Sequence, residues 1–315
     1  MNVKSFFLIG LLIGITTVAC VDILDNKDNS DDQQFTESLV TTDWLSSHAG
    51  DEDLVLIDVR SSAEFLNGNI SNSINIPFEV PVSAWTAMKG DLLVELPEFS
   101  DLSSRLGENG ISSTSKIVLI TNVPTNENPY SLASPTRVAL TLAYAGITNT
   151  AILDGGIDKW IREGKPVTKD SKAITPVSFT GKEDNSLFTD INYVKANTDN
   201  ALIVDTRDAE VYAGSVIEPW ASKAGHIPGA VSLPAPLLWN ADGTYKTKTQ
   251  IESIVSKVVG DDRNREIIVY CGVGGYASTT WFALTRILDY RDVKVFDGSS
   301  QEWVLHYDME MSAGN

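Results

Sequence analysis

Sulfur and imidazole are scarce in this chain, which holds 2 cysteines and 3 histidines among 315 residues. So few ligands leave no Cys/His spacing typical of a metal centre, and they exclude a disulfide framework as the source of stability. Basic residues are also few, 24 against 42 acidic ones, for a formal charge of -18. A balance of that sign offers no attraction to a phosphate backbone, which argues against a nucleic-acid partner. Glycine-rich phosphate loops of the GxGxxG or P-loop kind are missing. The apolar run "FFLIGLLIGITTVA", Phe6 to Ala19, is too short to cross a bilayer. Nothing calls for a metal or an organic cofactor. What is present is an apolar fraction of 43%, enough for the cores of two domains.

The N-terminus reads as an address. Lys4 precedes the apolar run, which ends in "TVAC" at Cys20. A small residue followed directly by cysteine resembles the bacterial lipoprotein signal, although Thr17 departs from the usual Leu. The alternative is an ordinary secretory signal cut near Ala19. The next stretch, "VDILDNKDNSDDQQ", is acidic and unable to bury a core, as a tether from a membrane should be. On the lipoprotein reading, residues 1–20 are the signal, residues 21–37 are the tether, and the protein is exported and lipid-anchored through Cys20. Cys271 is then the one free thiol.

An internal repeat organises the remainder. "LVLIDVRSSAEF" from Leu54 is matched by "ALIVDTRDAEVY" from Ala201, each an apolar run followed by Asp, one residue and Arg. "GNISNSINIP" from Gly68 pairs with "GHIPGAVSLP" from Gly225, "KIVLIT" from Lys116 with "EIIVYC" from Glu266, and "ILDGGIDKW" with "VFDGSSQEW", which ends at Trp303. Four matched blocks in one order imply a duplicated domain. Each copy alternates strand-like runs with amphipathic stretches, Ser134 to Gly146 and Ser278 to Tyr290, so the expected class is α/β, a parallel sheet with helices on both faces. The expected limits are residues 38–168 for the first copy, 169–187 for a linker and 188–310 for the second.

Asp-x-Arg after a strand, "GHIPGA", a loop that starts with Cys271, and "DGSSQEW" together resemble the tandem-domain rhodanese family, the thiosulfate and 3-mercaptopyruvate sulfurtransferases. The resemblance spans about Ser38 to Tyr307. It implies two rhodanese-like domains, an inactive first copy and a catalytic Cys271 in the second. Thr121 stands in the first copy where Cys271 stands in the second.

The residues of the loop "CGVGGYAS" support the same chemistry. A thiol attacks as thiolate, and a helix N-terminus with inward-pointing amides favours the anion. Glycines 272, 274 and 275 let the amides of Gly272, Val273, Gly274, Gly275, Tyr276 and Ala277 curl around the sulfur of Cys271 as an anion-binding nest. The expected reaction moves a sulfane sulfur through a Cys271 persulfide to a thiol or cyanide acceptor. Trp220, Lys223, His226 and Trp303 are candidates for the substrate pocket, and Asp205 with Arg207 is expected to be a structural ion pair.

Departures from the family bear on the donor. Thiosulfate-type members resemble one another in cationic loop residues, whereas Gly272 and Val273 stand here, and Trp220 occupies a position where an Arg is expected. Tyr276 stands where related loops have Arg or Thr. A neutral donor, a polysulfide or persulfide, is favoured over thiosulfate, with 3-mercaptopyruvate also open. A phosphatase or arsenate reductase would end its Cys loop in an Arg, and none appears before Arg286. The remaining rival is a non-catalytic module that carries sulfur or binds a partner at the membrane.

Overall fold

The Ile/Val/Leu-rich runs of the repeat become central strands. The computed structural model describes residues 34–126 and 128–311, so the lipoprotein signal with Cys20, and the tether up to residue 33, lie outside the described residues. In the first half the strands are β1 (Leu39–Val40), β2 (Leu54–Asp58), β3 (Ser73–Asn75), β4 (Ala87–Lys89), β5 (Leu92–Glu95), β6 (Lys116–Ile120) and β7 (Thr150–Leu153). Helices α1 (Thr42–His48), α2 (Ser62–Asn67), α3 (Phe99–Glu108), α4 (Ala133–Tyr144) and α5 (Gly156–Arg162) are interleaved with them. The second half contributes β8 (Phe188–Thr189), β9 (Leu202–Asp205), β10 (Val231–Ser232), β11 (Ile267–Tyr270) and β12 (Val293–Phe296). Its helices are α6 (Ile191–Ala196), α7 (Ala209–Ala213), α8 (Lys248–Val259), α9 (Gly275–Phe282) and α10 (Ser299–His306).

Each half forms a five-stranded sheet, ordered β1-β7-β6-β2-β3 and β8-β12-β11-β9-β10, and strand for strand the second order repeats the first. Every pairing within the two sheets is parallel. Helices cover both faces, which is why Ile117 to Ile120 and Ile267 to Tyr270 are buried without alternation. The architecture is thus α/β, with two domains of the same parallel-sheet topology. Among the described residues the first copy adds an antiparallel hairpin, β4 with β5.

The segment between the sheets is tied to the first copy by its backbone. Thr168 exchanges two hydrogen bonds with Asn69, the Val177 amide donates to the Gly107 carbonyl at 2.9 Å, and the Asp184 amide donates to the Tyr144 carbonyl at 2.8 Å.

Each Asp-x-Arg closes on itself. Arg207 forks onto Asp205, Nε to Oδ1 at 2.9 Å and Nη2 to Oδ2 at 2.5 Å, and also donates to the Gly225 carbonyl at 2.7 Å. Arg60 repeats the arrangement with Asp58 and the Gly68 carbonyl. In the second copy Tyr270 Oη donates to Asp205 Oδ2 at 2.7 Å, so the pair is anchored beneath the residue that precedes Cys271.

The two domains meet where α4 packs on α9. Both helices read as amphipathic from sequence, yet nearly every residue of each is buried, because each is covered by its own sheet on one side and by its counterpart on the other. Helix α9 begins at Gly275, ahead of Ser278, where the helical pattern starts. Thr136 and Thr279 place their hydroxyls 3.0 Å apart across the contact. Arg137 of α4 reaches past it to Asp297, 2.8 Å away, and donates to the Val94 carbonyl of β5. Asp297 in turn accepts from the Leu96 amide, and the Gln301 side chain both accepts from and donates to the Leu93 backbone. Glu95 lies in this cluster, and burial together with the Asp297 carboxylate pushes its carboxyl up to about 8 against the pull of Arg137.

Two outcomes follow from these buried charges. Removing one partner of a buried pair strands the other, so Arg207→Met should cost roughly 3–5 kcal/mol in urea unfolding, and a loss below about 1 kcal/mol would show the pair to be dispensable. Glu95 holds a proton in the folded protein that the unfolded chain has already released between the usual carboxylate range and about pH 8. Its contribution is therefore present at lower pH and is lost as pH rises through that window. Urea titrations across it should show a shallower decline in Glu95→Gln than in the native chain.

Candidate active site

The β11 strand is central in its sheet, and Cys271 follows its last residue at the carboxyl edge, where crevices of open parallel sheets form. Three residues, Gly272 to Gly274, then turn the chain into α9. Gly274 sits at a φ of 96°, in the left-handed region, where a Cβ would also lie 3.0 Å from Arg137 Nη1. At Gly272 a Cβ would lie 2.2 Å from Trp220 Nε1 and 2.8 Å from Glu218 Oε2.

The loop is held from behind by the start of α10. Amides of Ser300 and Gln301, free because they lie in a first helical turn, donate to the carbonyls of Cys271 at 3.0 Å and Gly272 at 3.2 Å. Ser299 Oγ accepts from the Cys271 amide at 3.3 Å. With these groups committed, other loop amides turn toward the sulfur, and Gly274 N–H donates to Sγ at 3.0 Å. The "DGSSQEW" block thus grips the Cys271 loop through Ser299 to Gln301 and the first domain through Asp297 and Gln301.

The expected fall in the thiol's pKa is not what the structure gives. Burial pushes Cys271 above its ordinary value; the Ala277 amide opposes this, the Glu218 carboxylate adds to it, and the Val273 and Gly274 amides oppose it in turn. Desolvation and a nearby negative charge outweigh the amide nest. Burial and the nearby carboxylate thus act against the thiolate that the loop amides favour.

Above the sulfur lies a cavity of about 220 Å³. The second domain contributes Glu218, Trp220, the loop residues Cys271, Gly272, Val273 and Gly275, and Tyr276. The first domain supplies the opposite wall with Phe78, Val80, Val94, Tyr130, Ala133 and Ser134. Tyr130 meets Tyr276 edge to face, with ring centroids 5.4 Å apart. Glu218 is the one charged side chain among the described lining residues. Burial raises its carboxyl, while Arg207, 3.6 Å away, and Trp220 hold it down.

Of the four pocket candidates, Trp220 lines this cavity. Lys223 does not: its ammonium is bound by the Tyr307 carbonyl at 2.8 Å and by Asp308 at 2.9 Å. His226 is buried in its turn, stacked on Tyr212 and bonded through Nδ1 to the Tyr212 carbonyl at 2.9 Å. Trp303 is a core residue of the second domain, its indole N–H donating to the Asp308 carbonyl at 3.1 Å. Sequence reasoning passed over Glu218, although it stands in the same "EPW" as Trp220. It also passed over Tyr130, which lies in the first copy between β6 and α4. Thr121, the counterpart of Cys271, is buried and donates to the Ser131 carbonyl at 3.0 Å.

Residues 41–163 and 190–306 each match the rhodanese-like domain. The chain belongs to that family, and carries the domain twice. Among its relatives, the sulfur carrier protein TtuD of Thermus thermophilus is 28% identical over 280 residues, covering 85% of this chain and 93% of that protein. A candidate thiosulfate sulfurtransferase of Mycobacterium leprae is also 28% identical, over 276 residues, covering 85% and 95%. The crystal structure of the 3-mercaptopyruvate sulfotransferase SseA from Escherichia coli superimposes with a TM-score of 0.69 at 25% identity, covering 84% of this chain and 99% of that one. An anaerobic ergothioneine biosynthesis enzyme from Chlorobium limicola shares the fold, with a TM-score of 0.74 at 22% identity, covering 88% and 71%.

The position of Glu218 can be read in the thiol. A carboxylate beside a thiolate disfavours it, so Glu218→Gln should lower the midpoint of the thiolate absorbance titration, measured in a chain carrying Cys20→Ser so that Cys271 is the sole thiol. An unchanged or raised midpoint would mean that the carboxylate does not act on the sulfur.

Proposed function

We propose that this protein is a sulfurtransferase that moves a sulfane sulfur from a small donor to a thiophilic acceptor through a persulfide on Cys271. The observation that carries the reading is Cys271 lining an apolar cavity with the Gly274 amide 3.0 Å from Sγ. The relatives named for sulfur transfer and sulfur carriage support it.

In the first half-reaction the Cys271 thiolate attacks the outer sulfur of a donor R–S–SH. The S–S bond breaks, its electron pair leaves as RS⁻, and Cys271–S–SH remains. In the second, a thiolate or cyanide attacks that outer sulfur and Cys271 departs as thiolate, cradled by the amides of the loop from Gly272 to Ala277. The amide nest stabilises sulfur anions as they form, which suits a resting thiol whose pKa is raised.

The cavity favours neutral persulfides and polysulfides over thiosulfate, because no cation among its described lining residues holds a dianion. Asp205 and Arg207 serve as scaffold beneath it. The first copy, residues 38–168, is the inactive domain and the second, residues 188–310, the catalytic one, joined by residues 169–187. The N-terminal segment through Cys20 serves as a lipoprotein signal and the acidic residues to 37 as a tether, which would keep the enzyme at a bacterial membrane after export.

Intact-mass analysis of the chain after incubation with each donor tests the reading. A gain of one sulfur (about 32 Da) that cyanide removes, absent in Cys271→Ser, is the expected result. An adduct that forms but resists every acceptor would reduce the protein to a sulfur carrier, and no adduct with any donor would overturn the transfer mechanism.

A further inference from the structure

The cavity over Cys271 is not built for an anion. Aromatic rings of Phe78, Tyr130, Trp220 and Tyr276 are among its walls, and the one charged group among its described lining residues is the Glu218 carboxylate. That charge is not cancelled by its neighbours. The nearest cation, Arg207, stands 3.6 Å away and is already forked onto Asp205 at 2.5 Å, so the three side chains together keep one negative charge. Glu218 Oε2 is enclosed beside the Trp220 indole N–H and Gly272, next to the sulfur-bearing residue, with Arg207 Nη1 3.6 Å away. A desolvated carboxylate within an aromatic enclosure has the complement of an organic ammonium ion, which gains from the ring faces and from the charge together.

We propose that the sulfur substrate of this site is a small organic ammonium compound, its cationic head held by Glu218 and the aromatic walls and its sulfur delivered to Cys271. This rests on the sulfurtransferase reading and names the substrate class. Sulfur transfer to the thiolate then runs as described, the S–S bond breaking with its electron pair on the ammonium-bearing thiolate. An anionic donor of equal size would meet the Glu218 carboxylate in a largely apolar cavity and be rejected.

Four hydropersulfides of similar length separate charge from size: those of 2-aminoethanethiol, thiocholine, 2-mercaptoethanol and 3-mercaptopropionate, each generated from its symmetrical disulfide and sulfide. The rate of sulfur loading on Cys271, read by intact mass, should favour the two cations over the neutral donor by about tenfold or more and place the anion last. The primary amine and the quaternary ammonium tell a charge-dominated site from a ring-dominated one. In Glu218→Gln the ratio of cation to neutral donor should collapse toward one; the ratio is the readout because any change in thiol reactivity cancels from it.

Calorimetric binding of choline to the Cys271→Ser chain needs no chemistry. If no donor loads sulfur but choline binds and Glu218→Gln abolishes that binding, the ammonium site stands and the transfer reading falls. If sulfur loads as fast from the anionic donor as from the cations, or choline gives no saturable heat, the ammonium assignment is overturned while transfer stands.

Discussion

The structure depends on keeping one buried sulfur inside a turn of backbone whose hydrogen bonds are arranged in advance. Peptide groups cannot be left unpaired in an apolar interior without cost, so the carbonyls of Cys271 and Gly272 are taken up by the first turn of α10. The Gly274 amide is thereby free to donate to Sγ. Burial and Glu218 raise the pKa of the thiol, and the loop amides oppose them by favouring negative charge on the sulfur.

Duplication explains why the site needs both domains. The first copy has no thiol, and Thr121 fills that place with a hydrogen bond to its own loop. Its structure has been turned to other uses. The long loop before α4 carries Tyr130 to the far wall of the cavity, and Arg137 of α4 pairs with Asp297 while standing against Gly274. The hairpin strand β5 is gripped by Gln301, a residue whose own amide holds the Gly272 carbonyl. Movement between the domains would disturb the loop directly, so the copy without a thiol helps to hold the Cys271 loop in place.

Much of this was legible in the sequence, for identifiable reasons. The parallel sheets were visible because a strand buried on both faces must be continuously apolar, as "KIVLIT" and "EIIVYC" are. The repeat of Asp-x-Arg reported a self-contained pair whose partners lie two residues apart. Part of the loop was legible because Gly274 takes the left-handed turn that favours glycine. Contacts across the domain interface were not. Tyr130 and Glu218 meet the sulfur only through the packing of α4 on α9, and no local pattern encodes that. For the same reason the thiol's pKa was read with the wrong sign: a helix N-terminus is a local feature, whereas burial under another domain is a global one. Lys223, His226 and Trp303 looked like pocket residues because they sit near the motif in sequence, but the "GHIPGA" turn and α10 direct them into the second domain's own packing.

The central claim is that the amide cradle receives the transferred sulfur at Cys271 within the cavity formed by both domains. Diffraction from crystals exposed to a hydropersulfide tests it most directly. The account requires density for one added sulfur on Sγ, pointing into the space between Trp220 and Tyr130 and within hydrogen-bond reach of the amides from Gly272 to Ala277. An unmodified Cys271 in crystals whose dissolved protein carries the added mass elsewhere, or an outer sulfur turned away from those amides, would contradict it.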